Sequence, residues 1–122
     1  MASQKGRCNC GSITLSLAAV PTQVVICHCL NCRKAGGPYS MNYVIDENED
    51  AITDSKNTLR LYEDRDTISG NLCERYFCSG CGSAIYSATV VAPGKRLVKA
   101  SLFDSLAHDL MEVNPEHRVT WD

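Results

Sequence analysis

Long apolar runs and long basic runs are both missing from this sequence of 122 residues. No segment approaches the roughly 18 consecutive apolar residues of a membrane helix, so we expect no membrane partner. Lysines and arginines stand singly or in pairs and the net charge is −2, which argues against a nucleic-acid partner. Residues 1–7 are polar and lack the apolar stretch of a signal peptide, so we expect a cytoplasmic protein.

Histidine is scarce, with three residues, whereas cysteine is abundant, with eight. An even number of cysteines in a short chain is compatible with a disulfide framework. The cytosol keeps thiols reduced, however, which disfavours structural disulfides. Cysteines separated by one or two residues are also poor disulfide partners, while their spacing suits a bound metal. The composition therefore favours metal binding.

Short strands dominate the predicted secondary structure. Apolar and polar residues alternate over residues 13–17, the period of two that is typical of a strand with one buried face. Further strands are expected at residues 24–26, 39–45, 59–62, 72–77, 84–86, 97–100 and, as a last edge strand carrying a packed Trp121, 116–121. Residues 46–56 are acidic and polar and predict a loop, and residues 105–111 predict one short helix. The length fits a single domain, residues 1–122.

The cysteines form three groups of close neighbours and one single residue: Cys8 and Cys10; Cys27, Cys29 and Cys32; Cys78 and Cys81; and Cys73. Two pairs together supply four thiolates, the number found in closed structural zinc sites. A triplet supplies three and leaves a tetrahedral metal one exchangeable position, as catalytic zinc sites do. Counting suggests one site for folding and one for chemistry, although spacing alone also allows the first pair to join Cys27 and Cys29.

Three cysteine motifs follow one another along the chain: Gly-Arg-Cys-Asn-Cys-Gly at 6–11, Cys-His-Cys-Leu-Asn-Cys-Arg-Lys at 27–34 and Phe-Cys-Ser-Gly-Cys-Gly-Ser at 77–83. This set closely resembles the glutathione-dependent formaldehyde-activating enzyme family, which also includes centromere protein V and has the Mss4-like fold. The resemblance extends from residue 6 to about residue 121. It implies a mainly β fold of short antiparallel strands held together by zinc, with at most one or two short helices.

The resemblance also implies which cysteines share a metal. By analogy, the closed structural zinc site consists of Cys8, Cys10, Cys78 and Cys81. The triplet Cys27, Cys29 and Cys32 matches the positions that hold a second zinc with an open fourth position, so two zinc ions per chain are expected.

The implied activity is that of a carbon–sulfur lyase. A thiol such as glutathione would bind at the open position and attack a small aldehyde, and the reverse reaction would cleave an adduct such as S-hydroxymethylglutathione. The alternative is a non-catalytic Mss4-like module, either a glutathione carrier or a protein-interaction domain, because a fold does not dictate a function.

Glutathione carries two carboxylates, which need cationic or backbone N–H partners. Arg33 and Lys34 directly follow the triplet. Gly36 and Gly37 would let backbone amides approach a ligand closely. These four residues are the predicted substrate contacts.

Cys73 and His28 are harder to assign. Cys73 fits none of the motifs, and we expect a buried small hydrophobe there. The alternatives are an additional ligand of the second zinc, which would close the open position, and a redox partner. His28 stands between two expected ligands, so its side chain should point away from the metal.

Overall fold

The computed structural model describes residues 3–121 and divides them among ten strands, one α-helix and two single turns of 3-10 helix. The strands are β1 (Lys5–Arg7), β2 (Ile13–Leu17), β3 (Gln23–Cys27), β4 (Ser40–Asp46), β5 (Asp50–Asp54), β6 (Leu59–Asp64), β7 (Cys73–Cys78), β8 (Ala84–Thr89), β9 (Lys95–Lys99) and β10 (Asp109–Val113). Helix α1 (Leu30–Gly36) follows β3, and the 3-10 turns span Ala100–Leu102 and Pro115–His117. The mainly β class is confirmed.

Two sheets share the core. The smaller has the order β1-β2-β5 and the larger the order β10-β3-β4-β9-β8-β7-β6. Every pairing between these strands is antiparallel except that of β10 with β3, which is parallel. The alternating apolar residues of β2 are buried together with Val24, Tyr43, Ile85 and Val98 of the larger sheet, so the hydrophobic effect joins the sheets. Within residues 3–121, no helix is long and apolar enough to cross a membrane.

A close backbone approach ties β1 to the segment after β9. Gly6 pairs with Phe103 in an isolated bridge, and a Cβ at Gly6 would lie 2.8 Å from the carbonyl oxygen of Leu102. Only glycine fits at that position. The contact fixes the start of the loop that carries Cys8 and Cys10.

The predicted loop at residues 46–56 is wrong, because β5 lies within it and pairs with β2. The acidic residues that indicated a loop have specific partners. Asp50 accepts a hydrogen bond from Arg96 over 2.7 Å, and Asp54 accepts one from the backbone N–H of Thr58 over 2.9 Å. Paired carboxylates are compatible with a strand, although the second oxygen of Asp50 is buried without a hydrogen-bond partner.

The C-terminal predictions are also wrong. The sequence predicts a helix at 105–111, but residues 105–108 are irregular and β10 begins at Asp109. The residues of β10 pair with β3. The expected edge strand at 116–121 is a 3-10 turn followed by irregular chain, so β10 takes the sheet edge. Trp121 does not pack on the sheet, since it is 84% exposed.

Candidate metal centres

Two chain segments that are distant in the sequence, with a separation of 68 residues between Cys10 and Cys78, meet in the four-cysteine cluster. The cluster consists of Cys8, Cys10, Cys78 and Cys81. All four sulfur atoms lie within 4.8 Å of one another. The sulfur of Cys10 is 3.6 Å from that of Cys8 and 3.7 Å from that of Cys78. Metal–sulfur bonds of about 2.3 Å in a tetrahedron place sulfurs about 3.8 Å apart. The cluster therefore fits a tetrahedral metal such as zinc.

Both loops of this cluster have the same local construction. The N–H of Gly11 donates to the carbonyl of Cys8 over 3.1 Å, and the N–H of Gly82 donates to the carbonyl of Cys78 over 2.7 Å. Both glycines have positive φ, at 79° and 78°. This left-handed backbone favours glycine, so each Cys-x-(x)-Cys-Gly segment forms a tight turn that presents two sulfurs.

Hydroxyl groups surround the four-cysteine cluster. Thr58 and Ser12 lie 3.4 Å and 3.5 Å from the sulfur of Cys78, and their hydrogen bonds lower the pKa of Cys78 to about 5. The hydroxyl of Ser83 lies 3.3 Å from the sulfur of Cys81 and lowers the pKa of Cys81 to about 7. Thiolate is the form that binds metal, so these groups favour metal binding.

The cysteine triplet, Cys27, Cys29 and Cys32, lies at the junction of β3 and α1. Its three sulfurs also lie within 4.8 Å of one another. Cys27 ends β3, Cys29 is the N-cap of α1 and Cys32 is in its first turn. The sulfur of Cys29 accepts a hydrogen bond from the N–H of Cys32 over 3.3 Å. The N-cap hydrogen bond therefore fixes the sulfur of Cys29 at the start of α1, next to the turn that carries Cys32.

The other two sulfurs of the triplet also receive donors. Asn114, just after β10, donates its side-chain N–H to the sulfur of Cys27 over 3.5 Å. The thiol of Cys27 lowers the pKa of Cys32 to about 5, with further contributions from Ser40 and from the charge of Lys99. The same pair raises the pKa of Cys27. Cys32 is thus the sulfur that loses its proton most readily.

Helix α1 is anchored by the residue between two triplet cysteines. The side-chain N–H₂ of Asn31 donates to both carboxylate oxygens of Asp64, over 3.1 Å and 2.9 Å, and to the carbonyl of Asp66 over 2.7 Å. Arg75 donates to the same Asp64 carboxylate over 2.8 Å. These bonds attach the first turn of α1 to the β6–β7 hairpin.

Among the described residues, neither His28 nor Cys73 belongs to a cluster of potential metal ligands. The buried ring of His28 has its Nε2 3.0 Å from a carboxylate oxygen of Glu112 and meets the ring of Tyr39 edge to face. Cys73, the first residue of β7, is half-buried, and burial raises the pKa of its thiol.

The four predicted substrate contacts do not line one cavity. Arg33, Lys34 and Gly37 line an open groove of about 440 Å³ beside Trp121. Gly36 lines a different cavity, of about 570 Å³, on the other side of α1.

A cleft beside the triplet contains cationic residues that the sequence analysis missed. Three adjoining cavities of about 570, 410 and 190 Å³ share Ala35, and we call them the central cleft. Lys99 lines the first and third cavities, and Arg75 lines the second and third. The only sequence signal for Lys99 is a lysine within the apolar strand 97–100.

Fold and site define a class, namely small β proteins with two cysteine clusters that could bind zinc. The model of a family described as glutathione-dependent formaldehyde-activating enzyme matches residues 3–121, and the chain belongs to this family. A search of curated proteins found no match. A crystal structure of a Rhodobacter sphaeroides protein is similar, with a TM-score of 0.68 and 17% identity over 89% of this chain and 99% of that one. At this identity the likeness concerns the fold.

Proposed function

We propose that the chain is a zinc-dependent carbon–sulfur lyase that forms or cleaves a glutathione adduct of a small aldehyde, such as S-hydroxymethylglutathione. The observation that carries the proposal is the difference between the two clusters. One gathers four sulfurs and the other gathers three beside a cleft. Membership of the glutathione-dependent family supports glutathione as the thiol.

The four-cysteine cluster would hold a structural zinc. Its sulfur spacing suits a closed tetrahedral site, and it joins the loop after β1 to the end of β7. We propose two zinc ions per chain, one in each cluster. A reducing compartment keeps such cysteines free, which supports a cytoplasmic location.

The cysteine triplet would hold the second zinc, which when bound supplies an open position where a thiol is held as a nucleophilic thiolate. Three different parts of the chain orient the sulfurs for this task. Asn114 donates to Cys27 and the helix N–H of Cys32 donates to Cys29. Ser40 lies beside Cys32. Such outer-shell hydrogen bonds set ligand orientation and basicity.

The central cleft would hold the glutathione tripeptide. It adjoins the triplet, because Asn31 lines one of its cavities and Ser40 another. Two of its three cavities, of about 570 and 410 Å³, lie in the volume range of small-molecule sites, roughly 300–1,000 Å³. Lys34 and Arg75 line one of its cavities. Because Arg75 is paired with Asp64, Lys34 is the cation that would meet a carboxylate.

The other predicted contacts divide between the two sides of α1. Gly36 borders the cleft and remains a proposed contact. Arg33 and Gly37 face the Trp121 groove, where they would reach only a ligand that extends past α1.

The rate of adduct interconversion tests the proposal. Formaldehyde and glutathione also combine without a catalyst, so the uncatalysed exchange rate is the reference, and exchange NMR measures the rate in both directions. The zinc-loaded protein should accelerate the exchange, and Cys29→Ala should abolish the acceleration. Glutathione binding without acceleration would instead support the carrier alternative.

A further inference from the structure

A chain of buried polar groups leads from β9 to the cysteine triplet. Lys99 is 6% exposed, Asn42 1% and Ser40 4%. The ammonium of Lys99 donates to Oδ1 of Asn42 over 2.6 Å, and Nδ2 of Asn42 donates to the hydroxyl of Ser40 over 3.0 Å. Ser40 stands opposite Cys27 of the triplet in the pairing of β4 with β3, and both its hydroxyl and the charge of Lys99 lower the pKa of Cys32.

Strand register creates this chain. Asn42 of β4 pairs with Lys99 of β9, and Ser40 of β4 pairs with Cys27 of β3. Residues 40 and 42 are two apart on one strand, so their side chains lie on the same face. The two strand pairings therefore connect the lysine to the triplet.

The donors of Lys99 and Asn42 both point along this series toward Ser40. A lysine ammonium has donors and no acceptor, which fixes the direction at Lys99. The amide of Asn42 is held in its orientation because Nδ2 also donates to the carbonyl of Val25 over 3.1 Å. The hydroxyl of Ser40 accepts from Asn42, which leaves its own hydrogen free for another acceptor. Charge-assisted hydrogen bonds in buried chains are stronger than isolated ones.

The positive charge of Lys99 can also compensate negative charge at the triplet. Three thiolates exceed the charge of a zinc ion by one, and a fourth thiolate adds another negative charge. Buried net charge is costly unless it is compensated. Burial lowers the pKa of Lys99, whereas the charges of Cys32, Cys73 and Cys27 favour its ammonium form. The charge of Arg75 disfavours the ammonium, and Arg75 itself is paired with Asp64.

We infer that Lys99 is a positioning residue of the triplet, which acts through Asn42 and Ser40 on Cys32 and makes the open position select an anionic sulfur ligand. The inference rests on the proposed function, since it requires a metal in the triplet. A thiol that binds there releases its proton to solvent and adds one negative charge to the site. Imidazole binds as a neutral ligand and adds none.

Ligand selectivity separates this electrostatic role from a structural one. The protein is loaded with Co(II), and the visible bands of tetrahedral cobalt report ligands entering the triplet. Dissociation constants are measured for 2-mercaptoethanol, which has no carboxylate to contact the cleft, and for imidazole. The variants are Lys99→Met, Ser40→Ala and the control Lys95→Met. Lys95 lies on the same strand, but its partner is Asp46 at the surface.

Lys99→Met should weaken mercaptoethanol binding about tenfold, the loss of a charge-assisted interaction, and change imidazole binding less than about twofold. Ser40→Ala should change selectivity in the same direction by about threefold, and Lys95→Met should match the unsubstituted protein. Equal weakening of both ligands, or unchanged mercaptoethanol binding, would overturn the inference. If Lys99→Met does not fold, Ser40→Ala decides by the same ratio.

Failure of the proposed function has a different signature. An unsubstituted protein that binds a single cobalt ion, with no spectral response to mercaptoethanol or imidazole, would overturn the lyase proposal and the inference with it. Two cobalt ions and a response that is the same in all variants would overturn only the role of Lys99.

Discussion

Asn114 donates a hydrogen bond to the sulfur of Cys27 from a backbone that most residues avoid. The donor–sulfur distance is 3.5 Å, and Asn114 has φ 53° and ψ 48°, in the left-handed region. Asparagine tolerates this conformation better than most residues. Val113, the preceding residue, pairs with Cys27 through β10 and β3, so the parallel strand pair brings Asn114 to the triplet.

Asn114→Gly should remove the donor without straining the backbone, and Asn114→Ala should remove it and keep the strain. Both variants should bind metal in the triplet more weakly, as measured by competition with a chelator. Only Asn114→Ala should lose stability, by about 1 kcal/mol in urea unfolding.

A matched control exists at Asn57, which also has positive φ, at 54°. Asn57→Ala should cost a similar stability and leave the metal affinity of the triplet unchanged. Full metal affinity in Asn114→Gly would contradict a role for the amide.

The buried carboxylate of Asp64 is expected to contribute to stability through its hydrogen bonds with Arg75 and Asn31. Burial opposes its ionisation, but hydrogen bonds from Arg75 and Asn31 outweigh burial and hold the pKa of Asp64 below its ordinary value. Asp64→Asn should destabilise the protein by about 2 kcal/mol in urea unfolding, because it leaves the Arg75 charge poorly paired. The exposed Asp66→Asn should have little effect, since Asn31 bonds to the carbonyl of Asp66.

The pH dependence of this contribution follows from the lowered pKa. The native state binds the Asp64 proton less tightly than the unfolded state, so the contribution is complete above the unfolded pKa of about 3.9. It is lost as the pH falls from there through the native pKa. Asp64→Asn should therefore flatten the stability profile below about pH 4. An unchanged profile relative to Asp66→Asn would contradict the assignment.

Ala35 offers a steric test of the central cleft. It is exposed and lines all three cavities of the cleft. Ala35→Phe should block glutathione and weaken its binding at least about tenfold in calorimetry, with both metals retained. Ala51→Phe, in a cavity on the smaller sheet, is the matched control. Equal binding in the two variants would place glutathione elsewhere.

Chelation tests the structural role of the four-cysteine cluster. A structural zinc contributes on the order of 10 kcal/mol of apparent binding energy, which is folding energy when the empty site is disordered. Removing all metal should abolish the strand signal in circular dichroism, and zinc should restore it. A metal-free protein with an unchanged spectrum and melting temperature would exclude this role.

Features set by neighbouring residues in the sequence could be predicted, whereas features set by contacts between distant residues could not. The strand Ile13–Leu17 was predictable because its alternation reflects burial on one face. The pairing of Cys8 with Cys78 followed from family resemblance, since spacing alone left two arrangements open. The four-cysteine grouping in the structure agrees with that resemblance.

Interactions set by strand register could not be predicted. The chain from Lys99 through Asn42 depends on which residues of β4 and β9 stand opposite each other, and no local pattern encodes that. Helix α1 is only seven residues long and begins at a cysteine N-cap, so its periodicity is too short to detect. β10 gains its strand form from pairing with β3, which overrides the local helical preference.

The division of labour between the two clusters is tested most directly by counting zinc in native mass spectrometry, with circular dichroism on the same samples. The unsubstituted chain should carry about two zinc ions, Cys29→Ala about one with its strand signal intact, and Cys78→Ala should lose its fold. Retention of both ions by Cys29→Ala, or its global unfolding, would contradict a structural four-cysteine site beside an open triplet.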